Sequence, residues 1–223
     1  MSARTILVTA VAIATLVVPT VAHAATIRVT SAKAPLLGNL EWESGSARAY
    51  LNDAGKPHAL KANTALGQLV AATSFTGTKL VIAEYEGLGP YVKSIGTERL
   101  GAKGAWDVYV NGRTPQLGAG TLVLRATDQV IWFLDTDYSK AGPVILDLDV
   151  EQLAGGLLFT VRKADGKGYK PAVGATVTLD GVAIGTTDAK GQLSHASTAD
   201  WDVAQATLTG TIGSQRVVES PIN

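Results

Sequence analysis

Beyond residue 24 the chain is written in short runs where apolar and polar side chains alternate, each run closed by Gly, Asn, Asp or Pro. That rhythm argues against a helical bundle and for short strands with a turn roughly every ten residues. Residues 26–30 put Ile27 and Val29 on one face of a first strand. Residues 47–51 form a weaker strand that ends at the turn Asn52-Asp53-Ala54-Gly55. Residues 79–84 and 91–95 are strands flanking the loop Gly87-Leu88-Gly89-Pro90. Residues 106–110 lead into Asn111-Gly112, a strong hairpin signal because both turn positions need positive φ. Residues 121–124 and 129–134 flank a turn at Thr127-Asp128. One segment departs from the pattern. In residues 63–73 Leu66, Leu69 and Val70 fall at helical spacing, with Asn63 or Thr64 able to cap a short helix.

Alternation stops around residues 138–142, which marks a boundary. Beyond it, residues 144–150, 157–162, 173–179, 204–208 and 215–218 read as further strands, with a turn at Asp180-Gly181. The expected division is 25–140 and 143–223, each a β-domain, the second a small sandwich.

Residues 1–24 have a different character. Arg4 precedes an apolar run over residues 6–18, Pro19 breaks it, and Ala22-His23-Ala24 is the small-x-small pattern that signal peptidase accepts. The run is shorter than the roughly 20 residues of a membrane anchor. Export with cleavage near Ala24 is therefore expected, giving a secreted protein with no membrane insertion in its mature form. The chain has no cysteine, so stability outside the cell rests on packing alone. Removing Arg4 leaves 18 basic residues, from 19, against 19 acidic ones. Such a balance offers no electrostatic case for nucleic acid.

The inventory argues against an enzyme. Past residue 24 only His58 and His195 are available as bases, and there is neither a Cys nor a G-x-S-x-G elbow. Phosphate-cradling glycine motifs are missing, and no ligand pattern points to a metal or cofactor. Three carboxylate pairs, Glu84/Glu86, Asp135/Asp137 and Asp147/Asp149, are spaced two apart, which suits the solvent face of half-buried strands. Trp106 shares the face of Val108 and Val110 and is expected in the core.

Three stretches in order are more specific. Residues 88–95 (LGPYVKSI), 106–112 (WDVYVNG) and 128–132 (DQVIW), preceded by 64–72 (TALGQLVAA), resemble the C-terminal β-domain family of transcobalamin and intrinsic factor. The likeness spans roughly residues 25–138. It implies a mainly β fold: a β-grasp-like sheet crossed by one short helix, followed here by the small sandwich. In the vitamin carriers this domain closes over cobalamin beside a large helical domain, which this chain lacks. Bacterial relatives often carry a cysteine pair near the positions of Leu60 and Gly120 or Thr121, which this chain also lacks. Residues 171–181 and 186–191 look like the carboxypeptidase-regulatory or bacterial Ig-like sandwich family, whose members serve as spacers or adhesive modules.

With this resemblance the expected ligand surface is Gly87, Leu88, Gly89, Pro90 and Tyr91, beside the Asn111 hairpin. The glycines let a ligand approach the backbone and Tyr91 offers a ring with a hydroxyl. The expected function is a secreted, non-enzymatic binder of a small molecule such as a corrinoid, or of an extracellular protein or cell-envelope partner. The alternative is a structural or adhesive surface protein without a small-molecule ligand.

Overall fold

The computed structural model describes residues 25–42, 48–85, 87, 89–196 and 200–218; the expected signal segment, Glu86 and Leu88 lie outside them. Among these residues the fold is mainly β with one helix. Strands β1 (Ala25–Thr30) and β2 (Pro35–Trp42) form a hairpin, and β3 (Arg48–Leu51) pairs with β4 (Pro57–Leu60). Helix α1 (Ala65–Thr76) follows, then β5 (Leu80–Tyr85), β6 (Gly89–Ile95) and β7 (Glu98–Arg99) as a three-stranded meander. β8 (Ala105–Val110) and β9 (Gln129–Asp135) complete a sheet of order β2-β1-β9-β8, in which the two central strands, β1 and β9, run parallel. A parallel central pair flanked by antiparallel edges, with a helix between the hairpins, is the β-grasp arrangement.

The rest of the chain builds two more sheets. β10 (Ile145–Leu153), β11 (Gly156–Ala164), β12 (Tyr169–Pro171) and β15 (Gln192–His195) form one; β13 (Thr176–Leu179), β14 (Val182–Thr186), β16 (Val203–Thr207) and β17 (Val217–Val218) form the other. They enclose a shared core around Leu148, Phe159, Val177 and Ala206.

Thr64 caps α1, its hydroxyl accepting from the Gly67 N–H, and Gly77 ends it in the left-handed region. The two other first-turn donors find acceptors in a distant loop: Ala65 N–H donates to Leu122 O at 3.0 Å and Leu66 N–H to Ala119 O at 2.9 Å. Capping the helix is what residues 119–124 do. The strand expected at residues 121–124 is reduced to one bridge, Thr64 to Val123.

Strand β9 is buried on both faces. Val130, Trp132 and Leu134 join Ile27, Leu66, Leu69, Trp106 and Val108 in the main core. Ile131 and Phe133 point the other way and meet Ile145, Ala164 and Ile212 of the second half, with Tyr109. The same junction takes in a charge. Arg28, only 2% exposed, donates to Leu146 O at 2.9 Å and to the Gln215 side-chain oxygen. Asp147 lies beside it, bound to Arg162 at 2.6 Å and to Gln215 at 3.2 Å. Two carboxylates expected on solvent faces, Asp135 and Asp147, are thus buried at 7% and 6% exposure. Their strands are covered on the second face by the other half of the molecule.

Candidate functional site

The stretch of alternating residues in β8 sends Trp106 and Val108 toward the helix side of the sheet, where Trp132 of β9 lies next to them. Above this floor the chain leaves β8, turns at Asn111-Gly112 and runs through residues 114–119 without regular structure. The start of β6, Pro90 to Val92, faces that loop. Between them lies a cleft of about 200 Å³, with Leu66 of α1 at its back. Pro115, Leu117 and Ala119 make the far wall largely apolar. Contact at one end is close: a Cβ at Gly120 would sit 3.2 Å from the Pro90 ring and 3.9 Å from Leu60. Leu60 and Gly120 are therefore neighbours.

Tyr91 is half-buried at the mouth, its ring stacked on Tyr85 with centroids 4.4 Å apart and planes 16° from parallel. Burial and then the Tyr85 phenol group push its phenol pKa up. In the floor, the indole N–H groups of Trp106 and Trp132 are sealed from solvent and meet no acceptor among the described residues. An unsatisfied buried donor of this kind costs about 1–3 kcal/mol. Asp107 also lines the cleft, while strand alternation turns its carboxyl toward the opposite face, with Tyr109. There burial, and secondarily Asp135, raise its pKa.

The expected site residues divide between two places. Pro90 and Tyr91 line the cleft. Gly87 and Gly89, both at positive φ, border a wider, open hollow of about 530 Å³ with Asn52, Asp53, Lys56 and Glu84. Asn111 borders neither. Its φ is 52°, its amide donates to Asp128 at 2.8 Å, and its side-chain oxygen accepts from the Gln129 N–H at 2.9 Å. The turn is real, yet what it joins is the loop over the cleft, because β9 arrives only after residue 128. The loop wall and Trp132 escaped the sequence reading. Their signal was the Pro/Gly-rich run 115–120 together with an unbroken apolar run at 130–134, which marks a strand buried on both faces.

His58 sits beside the hollow. Its Nδ1 lies 2.8 Å from Glu84, its Nε2 3.3 Å from the Asn52 amide, and its ring stacks on Tyr50, whose hydroxyl donates to Glu84 at 3.0 Å. Both ring nitrogens are thereby engaged within a structural cluster. Among the described residues no group of three or more His, Asp or Glu is placed to hold a metal ion, and no helix is long and apolar enough to cross a membrane.

No curated protein and no solved structure matches the chain. Residues 60–136, which carry α1, the β5–β6 hairpin and both the floor and the wall of the cleft, match the model of a domain of unknown function (DUF4430), a transcobalamin-like family.

Proposed function

We propose that this is an exported, non-enzymatic binding protein whose transcobalamin-like half holds a small molecule in the cleft beside Tyr91. The observation that carries the reading is the cleft itself: an aromatic floor of Trp106 and Trp132, a tyrosine at the mouth and an apolar wall. Such a make-up rewards insertion of a flat or apolar group and contains no nucleophile–base pair. Export rests on the signal-like residues 1–24.

A volume of about 200 Å³ is below the usual range for enclosing a drug-sized ligand. It suits a single ring or a side group, with the remainder of a larger molecule lying on the Tyr85–Tyr91 pair. A corrinoid would seat an edge here and leave its macrocycle outside. Calorimetric titration of the mature protein with cyanocobalamin and with cobinamide tests this. A saturable heat is expected, with an affinity that falls about tenfold in Tyr91→Ala, equivalent to about 1.4 kcal/mol. Absence of heat with both compounds at high micromolar concentration removes the corrinoid as ligand.

A second reading, docking of an extracellular protein or envelope component, is favoured by the exposure of Tyr85 and Leu117 on either side of the mouth, 57% and 59%. Binding to cell-envelope fractions that Tyr85→Ala abolishes would support it.

A further inference from the structure

The wall of the cleft, residues 114–119, is held at its two ends. Toward its C-terminal end, Ala119 O accepts from Leu66 at the helix N-terminus. The other end is gripped from the second half of the molecule, outside the stretch that matches the family model. Thr114 N–H donates to Gly166 O at 2.9 Å and Gly168 N–H to Gly112 O at 3.0 Å, the two backbone bonds of a single antiparallel bridge between residues 113 and 167.

The grip depends on glycine on both sides. A Cβ on Gly112 would lie 2.8 Å from the Gly168 carbonyl carbon, and one on Gly166 would lie 2.7 Å from the Thr114 hydroxyl. Gly112 and Gly166 also sit at φ of 73° and 81°, where side chains are strained. The gripping loop is itself stiffened: Asp165 accepts from the Lys167 N–H at 3.0 Å and pairs with Lys170 at 2.6 Å. Those contacts hold the Asp165 carboxyl below the usual carboxylate range. Finally, the half that carries this loop is fixed to the β-grasp sheet by the buried Arg28 and by the apolar cluster of Ile131, Phe133 and Ile145.

We propose that residues 165–168 are positioning residues for the cleft, setting the place of the 114–119 wall against Tyr91 and over the Trp106–Trp132 floor. Its importance for binding rests on the reading of the cleft as the binding site; the mechanical coupling does not. The second half is then part of the site's frame, and a partner or modification that displaces its 165–168 loop alters the cleft.

Hydrogen exchange on the full mature chain tests the coupling without any ligand. In Gly166→Val, and independently in Asp165→Ala, the hydrogen-bonded amides of Arg113, Thr114 and Gly168 at the clamp, and of Thr121, which donates to Gly118 O of the wall, should exchange about tenfold or more faster, as expected for local opening. Amides of β13 and β16 should keep their wild-type rates. Asp165→Asn, which preserves the acceptor for Lys167, should restore most of the protection. Gly174→Ala is the control: its φ of 73° is equally strained, but its Cβ would touch nothing. Wild-type exchange at Arg113, Thr114, Gly168 and Thr121 in both clamp variants overturns the proposal. So does acceleration there matched by Gly174→Ala, or shared by β13 and β16. If cobinamide and cyanocobalamin give no heat while the wall amides accelerate, the ligand reading fails and the clamp stands.

Discussion

Arg28 shows how far one side chain can depart from its local pattern. In the alternating β1 run Ile27 and Val29 face the core, so Arg28 belongs on the other face, which for a single domain means solvent. Here that face meets the second half. Burial lowers the guanidinium pKa while Asp147, and then Tyr169, oppose the shift. The charge is tolerated because Leu146 O and Gln215 accept from it and Asp147 lies close by. Arg28→Met should therefore destabilise by about 1–3 kcal/mol, because it takes the donor from the buried Leu146 and Gln215 oxygens, while Asp147 keeps Arg162. Arg28→Lys should recover only part of this, since one ammonium cannot reproduce a fork that serves two acceptors. Denaturant unfolding measures both. A loss under about 1 kcal/mol for Arg28→Met would mean that the network is not closed as described.

At the level of elements, what was legible in sequence tracks what is locally determined. The strands at 26–30, 79–84, 91–95, 106–110 and 129–134 announce themselves by alternation or apolar runs, and Asp180-Gly181 takes the two positive φ values of a tight turn. β2 and β4 were missed because each opens on a proline, and β2 carries Gly-Asn at its centre; pairing with a neighbour overrides those signals. The helix was visible from Leu66, Leu69 and Val70, but its last turn was not. Thr73 and Thr76 are poor helix formers held there by hydroxyl bonds to Leu69 O at 2.7 Å and Ala72 O at 3.0 Å. Of the candidate site, the Pro90–Tyr91 side was readable. The opposite wall was not, since its position depends on contacts from more than forty residues away. Gly67 puts the local and the tertiary in direct opposition. Helix propensity alone predicts that Gly67→Ala stabilises by about 1 kcal/mol. The new Cβ would fall 2.2 Å from Lys61 O, a backbone atom that cannot swing aside. A net loss of about 1–3 kcal/mol is expected, with thermal unfolding as the measurement, and a higher Tm would show that the β4–α1 connection yields easily.

Across the whole molecule the two halves share groups that titrate together. Tyr109 and Tyr169 both stand at the junction, and both phenols are pushed up to about 12. Burial is the leading cause in each case. Asp107, Asp135 and Asp165 add to it at Tyr109; at Tyr169 Asp147 adds while Arg28 and Arg162 oppose. Tyr50, in the first half, is also pushed up to about 12, by burial and then by its hydrogen bond to Glu84. An unfolded phenol titrates near 10. Between about 10 and 12 the unfolded chain has given up protons that the folded one keeps, so stability falls as pH rises. The contribution of these tyrosines is fully present below about pH 10 and is lost by the time pH passes about 12. Because the junction is shared, both halves should lose stability in one transition, read at a fixed sub-denaturing urea concentration. Tyr169→Phe separates this from a general alkaline effect. Its hydroxyl is buried with no hydrogen-bond partner among the described residues, so removal should be neutral or slightly stabilising below about pH 10. Above that, the variant should resist alkali better than the wild type. Tyr109→Phe gives up a bond to Pro143 O at 3.2 Å and should start less stable while showing the same flattened slope. If both variants follow the wild-type pH profile, the junction does not open with alkali, and the loss must be assigned to Tyr50 or to groups remote from the interface.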